Sequence, residues 1–459
     1  MNIRPDMNRR QFLQTTALAA SALPFMGTAT EPLLYLERSS ISDQLKRFAA
    51  EKRAQAIAAA QAEAREMLPE FKVLFDAAEK GDWPTLKNIW QELLKQSSPF
   101  QIRGPSHWRA QGIQSKIVQE VYGAFENIMG DGGGYAIAFG RDIIGSIPPG
   151  SIYFGGTDPG RFVITALCKS QVNGDPFFTL TQNALADRSY LQYVRSMYGA
   201  RIYVPTGKDV ERVFGQYLAD AEHRRKENKL RPGEEVREID GALHVSGQVA
   251  VMSIHGLLAK LIIDKNADRE SYVEESFPLE WMYPYLSPHG LILKINRQPL
   301  AELSEELVRR DREYWTRHIR AMIGDWLHDG SAGDVVAFIE AVHVNHDLSC
   351  FRGDPRFIQN DAAQKSFSKL RSSIAGIYAW RGLNAGSAVE KKRMLAEADH
   401  AFRQAIALCP RSLDALFLYT SLLACQGRTE AALPLVETAL KLEPANLALR
   451  DLFQQLVVG

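Results

Sequence analysis

Two stretches near the C-terminus superpose at a spacing of 34 residues. Ala398, Ala405 and Pro410 recur as Ala432, Ala439 and Pro444, and Phe402 falls opposite Val436. Gly427 punctuates the second copy. A period of this length, small at two offsets and ending in Pro, restricts that part of the chain to stacked helix pairs. One such pair cannot bury its apolar face alone and must lean on its neighbour. The register covers about residues 379–446 and leaves the rest of the 459 residues open.

The residues Ala398, Phe402, Ala405, Pro410, Gly427, Ala432, Ala439 and Pro444 carry the tetratricopeptide (TPR) signature. Such arrays hold other proteins, so a protein partner is expected on a concave face between Ala398 and Leu442. Two copies need caps. Helices expected over Asp334–His343 and Gln364–Arg381 would supply one, and Gly382–Ala388 looks longer than an ideal turn. From Ser331 onward the expectation is an all-α TPR solenoid.

At the other end, Asn8-Arg9-Arg10-Gln11-Phe12-Leu13-Gln14 precedes an apolar stretch from Thr15 to Met26, and Gly27-Thr28-Ala29 offers a small-x-small cleavage site. The pattern resembles a bacterial twin-arginine (Tat) signal over residues 1–29. It implies export of a folded chain to the periplasm or cell envelope. The alternative is a cytoplasmic protein with a mildly apolar start. No later run reaches the ~18 apolar residues of a membrane span, so none is expected in the mature chain.

Lys plus Arg and Asp plus Glu are equal at 54 each, so no net field recruits nucleic acid or an anionic membrane. The best local basic run, His223 to Lys229, reads as a solvated helix end. Of the four cysteines, Cys168, Cys350, Cys409 and Cys425, none has the spacing of a zinc or redox pair. Small buried hydrophobes are the simplest role for all four, with a Cys409–Cys425 disulfide left open. No cofactor is implied, and no metal: His343 and His346 lack an indicated third ligand.

A long helix is expected from Ser42 to Met67, capped by Ser42 or Asp43 and ended by Pro69, followed by helices over Phe71–Lys80 and Thr85–Leu94. These form an N-terminal helical segment, residues 30–100. The middle, residues 101–325, differs in kind. Strands at Ser151–Phe154, Phe177–Leu180 and Arg201–Val204 alternate with helices at Gly160–Ser170 and Asp187–Tyr198. Strand and helix alternating with short connections predict a Rossmann-like α/β domain with a mostly parallel sheet. A helix follows over Gly247–Ile263, a strand over Gly290–Ile295, and a helix over Leu303–Trp326. The charged stretch from Ala219 to Gly241 is expected to be a mobile excursion. Residues 326–459 form the helical domain.

Chemistry is most suggestive at Gly155-Gly156-Thr157-Asp158-Pro159-Gly160-Arg161-Phe162. A strand ends, glycines loosen the backbone, and a helix begins with free amides that can receive an anion. Thr157, Asp158 and Arg161 are therefore candidate ligand residues, joined by Asn183 and Asp187 if the two strands are neighbours. Two carboxylates in one cleft are a minimum for acid–base chemistry. Thr157, Asp158 and Asp187 are also ordinary helix caps, and Pro159 an ordinary first helical residue. The acidic–aromatic stretch Glu274–Tyr285 can line a carbohydrate site or pack beneath a loop. No GxSxG, HExxH or kinase motif is present, and the catalytic residues stay unassigned.

Four segments together carry a resemblance. They are Gly155–Phe162, Thr181–Asp187, Trp281–Leu286 with Pro288–Leu291, and Phe367–Ile374. They resemble a group of exported or membrane-bound bacterial proteins in which a multi-span module similar to protein mannosyltransferases precedes a soluble α/β region and a TPR tail. The match covers about residues 70–450. The multi-span module, to which the sugar-transfer chemistry belongs, is not in this sequence, so no catalytic residue carries over. The resemblance implies a soluble accessory or recognition region with a small-molecule or glycan-like ligand. The competing expectation is a glycan-related transferase or hydrolase using Asp158, Arg161, Asn183 and Asp187.

Overall fold

The computed structural model describes residues 31–95, 112–130, 134–168, 176–231, 233–239, 242–275, 281–327 and 330–458. The expected leader lies outside them, as do Ser276–Glu280 of the acidic–aromatic stretch. Of the described residues, 31–217 and 254–272 form an N-terminal unit, and 218–253 and 273–458 a C-terminal unit.

In the N-terminal unit, α1 (Glu31–Ala62) is followed by α2 (Pro69–Lys80) and α3 (Trp83–Lys95). The first helix begins earlier than its sequence suggests, so Ser42 lies inside it rather than capping it. Pro69 opens α2 instead of ending α1: its missing N–H is one a first helical residue does not need. Phe71, Leu74, Phe75, Ala78, Leu86 and Leu93 are buried, as their helical spacing requires. Helix α4 (Ile113–Met129) is the centre of the unit, packing on α1, α2 and α3. It buries Ile117, Val118, Val121, Ala124, Phe125 and Ile128.

After α5 (Gly134–Ser146) come β1 (Ile152–Gly155), a wide turn at Pro159–Val163, α6 (Ile164–Leu167), β2 (Phe178–Thr181) and α7 (Arg188–Tyr198). β1 and β2 pair in parallel, from Ile152 opposite Phe178 to Gly155 opposite Thr181. The third expected strand, Arg201–Val204, is not one. The Tyr203 N–H donates to Asn266 Oδ1 at 2.8 Å, and Asn266 Nδ2 donates to the Tyr203 carbonyl at 3.2 Å. A side-chain amide thus satisfies the backbone that a neighbouring strand would otherwise pair.

Helix α8 (Gly207–Lys226) and the antiparallel hairpin of β3 (Glu235–Ile239) and β4 (Ala242–Ser246), ahead of α9 (Gly247–Lys265), where a helix is expected, take up most of the Ala219–Gly241 stretch expected to be a mobile excursion. Its charges are paired: Arg224 binds Glu234 and Asp220, and Arg225 binds Glu238. Helix α9 is long and apolar enough to cross a membrane, and 44% of its apolar window is buried. His255 on α9 is buried, and its Nδ1 has no hydrogen-bond partner among the described residues. Burial pushes its pKa from 6.5 down to about 4.

The folded His255 therefore refuses a proton that the unfolded chain accepts. Stability is full above pH 6.5 and falls progressively as pH drops toward 4. His255→Leu should remove up to about 3 kcal/mol of this acid-side loss. Urea midpoints measured from pH 7 to 4 would show a shallower slope for the variant. Parallel curves would contradict the assignment. His343, held near 4 by burial in the C-terminal unit, acts with the same sign.

Strand β5 (Ser271–Val273) belongs to a five-stranded sheet of order β2-β1-β5-β7-β6. β6 (Leu286–His289) and β7 (Ile292–Ile295) form an antiparallel hairpin. The sheet is therefore mixed, with a parallel pair in β1 and β2 and an antiparallel pair in β6 and β7. Only Gly290 and Leu291 join these two strands, and Gly290 sits at φ +63°. A two-residue turn cannot make the crossover that parallel strands need. Pro288 fits because β6 is an edge strand.

The rest of the C-terminal unit is helical: α10 (Glu305–Ile323), α11 (Ala332–Ile339), α12 (Pro355–Ile358), α13 (Asp361–Asn384), α14 (Ala388–Leu408), α15 (Leu413–Cys425), α16 (Thr429–Leu442) and α17 (Leu447–Val458). From α13 onward each helix packs on the next, and α11 packs on α14 and α16. The 34-residue positions Ala398, Phe402, Ala405, Ala432, Val436 and Ala439 are all at most 1% exposed. The two copies differ in length, because α14 spans 21 residues and α16 spans 14.

The expected loop Gly382–Ala388 shrinks to Ala385–Ser387, with Gly382 still helical. A Cβ there would come within 2.7 Å of Leu395 Cδ2, so glycine lets α13 and α14 approach closely. Cys409 is buried and Cys425 exposed, both free, so the disulfide left open does not form. Cys350 is exposed too, and only Cys168 and Cys409 fill the expected buried role.

Candidate functional site: a basic groove beside a buried polar chain

Helix α10 divides its residues by face. Val308, Asp311, Trp315, Ile319 and Met322 point inward at helical spacing. The outer side carries Arg309, Arg312, Glu313, Thr316, Arg317 and Arg320, which line a hollow of about 640 Å³ together with His400 of α14. A second hollow of about 750 Å³ shares Arg312 and His400 with the first. It adds Lys391, Lys392, Asp399 and Arg403 of α14, and Arg428 ahead of α16. Leu395, Ala388 and Ala396 give this second hollow an apolar strip. In a chain of balanced charge, eight cationic side chains against two carboxylates give this lining a net positive charge.

Several of these cations are held in place. Arg312 makes a two-point ion pair with Glu397, Nε to Oε2 at 2.7 Å and Nη2 to Oε1 at 2.8 Å, which holds its guanidinium pKa above the ordinary value. Asp399 accepts from Arg403 at 3.0 Å, from Arg428 at 2.9 Å and from the Tyr419 hydroxyl at 3.0 Å. Arg309 binds Glu306 and Glu313, and Arg320 binds Asp325. Arg317, Lys391 and Lys392 are exposed and form no ion pair among the described residues.

Beneath the groove runs a buried polar chain. Arg371 of α13 donates from Nη1 to Asp311 Oδ2 at 2.8 Å, each side chain only 1% exposed. The Tyr378 hydroxyl donates to the same oxygen at 2.9 Å. Arg371 also lies over the Trp315 ring, 5.1 Å from its centre, and its Nε donates to Gln404 Oε1 at 2.7 Å. Gln404 Nε2 lies 3.0 Å from His400 Nε2. This links the core to the groove wall and fixes where the His400 ring stands.

The sequence-derived ligand residues lie in the N-terminal unit and have local roles. Arg161 pairs with Asp158 three residues back, Nη2 to Oδ1 at 2.5 Å, and lies over the Phe162 ring. Thr157 Oγ1 accepts from the Gly160 N–H at 3.0 Å. Asp187 caps α7, accepting from the Ser189 and Tyr190 amides, and binds Lys116 Nζ at 2.5 Å. Burial alone would raise the Asp187 pKa, but Lys116 and the amides outweigh it and hold it below the usual range. Asn183 is exposed, and no hydrogen bond among the described residues joins it to Asp158, Arg161 or Asp187.

The sequence reading missed Gln182 and Gln114, both buried, whose amide atoms have no hydrogen-bond partner among the described residues. It also missed the groove. Arginines at 309, 312, 317 and 320 recur at helical spacing and could have flagged a basic face. His343 is buried, and among the described residues no three potential ligands gather as a metal site would require. Comparison of the chain with protein-family models, with curated proteins and with solved structures finds no match.

Proposed function

We propose that this protein is an exported bacterial TPR-type scaffold or accessory protein that binds a protein partner through its C-terminal helical unit. The observation that carries the reading is the burial of the 34-residue positions in serially packed helices, from Ala398 to Ala439. Such stacking leaves long helical faces outside for recognition. The Arg9-Arg10 leader supplies the location, the periplasm or cell envelope. The α/β unit adds recognition of a small or glycan-like ligand. In favour of this is Gln182, a buried amide at the end of β2, because an unpaired buried polar group is costly to keep without a purpose. The enzymatic alternative has less support, since Asp158 and Arg161 are engaged with each other and Asp187 with Lys116.

The test combines fractionation with capture. The full chain should reach the periplasmic fraction, and Arg9→Lys/Arg10→Lys should keep it in the cytoplasm. The purified chain should retain a protein from an envelope extract saturably. Unchanged fractionation of the double variant, or turnover of glycan substrates without any protein capture, would sink the reading.

A further inference from the structure

The two hollows along α10 and α14 share Arg312 and His400, so they run together as one elongated groove rather than two separate pits. We infer that this groove binds an acidic peptide segment of the partner, an assignment that rests on the scaffold reading above. Charge sets the sign of the ligand. Arg317, Lys391 and Lys392 present exposed cationic groups with no carboxylate partner among the described residues. Arg312 already shows the two-point carboxylate geometry that guanidinium favours. Leu395 and Ala396 offer contact for aliphatic stems.

A peptide fits this lining better than a nucleic acid. No Phe, Tyr or Trp ring lines either hollow to stack a base, and the one imidazole there, His400, is a buried side chain held by Gln404. Glu313 and Asp399 also lie on the wall, with Glu306, Asp325 and Glu397 beside it. They would repel a continuous phosphate backbone. A peptide meets both signs, because its carboxylates face the cations and its N–H groups can donate to the acids.

The experiment uses the purified full chain and a fluorescent dodecapeptide alternating Glu with Gly and Ser, followed by anisotropy at low and high salt. Arg317→Glu/Lys391→Glu/Lys392→Glu changes three exposed groups that form no ion pair among the described residues, and its melting temperature reports that it still folds. It should bind at least about tenfold more weakly, with a flatter salt dependence. Lys72→Glu/Lys208→Glu/Lys265→Glu makes the same charge change elsewhere and should bind as the parent does. Equal weakening by both triple variants, or none by the first, would overturn the inference. So would an oligonucleotide of equal charge binding the same residues more tightly than the peptide.

The two readings fail separately. If envelope capture survives the groove variant, the scaffold stands and the groove assignment falls. If the peptide binds through the groove but no protein is ever captured, the scaffold falls instead.

Discussion

Arg371→Met is expected to destabilise the C-terminal unit by about 3–5 kcal/mol, the usual cost of leaving a buried charge without its counter-ion. Asp311 is 1% exposed at its side chain, and its other polar contact is the Tyr378 hydroxyl. Its Oδ1 has no hydrogen-bond partner among the described residues, so little remains to hold the negative charge once the guanidinium is gone. The Asp311→Leu/Arg371→Met double variant should recover more than half of the loss, because an apolar pair of similar volume needs no desolvation. Denaturant midpoints of the parent, both single variants and the double variant decide the matter. A single-variant loss below ~1 kcal/mol would mean that Asp311 is not buried as described. Because Arg371 also orients Gln404, and through it His400, the single variant should weaken acidic-peptide binding as well.

The N-terminal unit has its own buried ion pair, and Lys52→Met is expected to cost about 2–4 kcal/mol there. Lys52 Nζ lies 2.5 Å from both Glu120 Oε2 and the Tyr193 hydroxyl, which itself donates to Glu120 at 2.6 Å. The ammonium also stands 5.3 Å from the Phe48 ring centre and 5.2 Å from that of Tyr193. These three side chains tie α1, α4 and α7 together. The loss should be smaller than for Arg371, since the Glu120 side chain keeps 12% exposure and can recruit solvent. Lys52→Arg should not restore the parent, because a planar guanidinium does not fit where a compact ammonium meets two oxygens. Thermal melting of the three proteins is the check, and equal melting of Lys52→Met and parent would contradict the account.

Local chemistry was legible in the sequence, and long-range pairing was not. The cap at Asp187, the opening Pro159 and the helices around Gly81 follow from residues a few positions apart. The failures share a cause. Arg201–Val204 has the composition of a strand, yet Asn266, more than sixty residues on, takes its backbone bonds. The hairpin at Gly290 was hidden because Pro288 argues against a strand unless its edge position is known. The 34-residue register located the buried positions of α14 and α16 but could not show that α14 runs half as long again. Among the ligand candidates, Asp158 and Arg161 are paired three residues apart, a contact visible in advance as a helix pair. The Asp311–Arg371–Gln404–His400 chain joins three helices across distant sequence, and no spacing rule announces it.

A partner protein docked in the proposed α10–α14 groove would lie within crosslinking reach of Lys392. The most direct measurement is photo-crosslinking in living cells, with a photoreactive residue at Lys392 and a reference at Lys208. The account predicts a discrete envelope-protein adduct from position 392, mapped to a Glu- and Asp-rich segment and lost when Arg317→Glu and Lys391→Glu are added. Absence of any adduct at 392, or the same adducts from both positions, would contradict it.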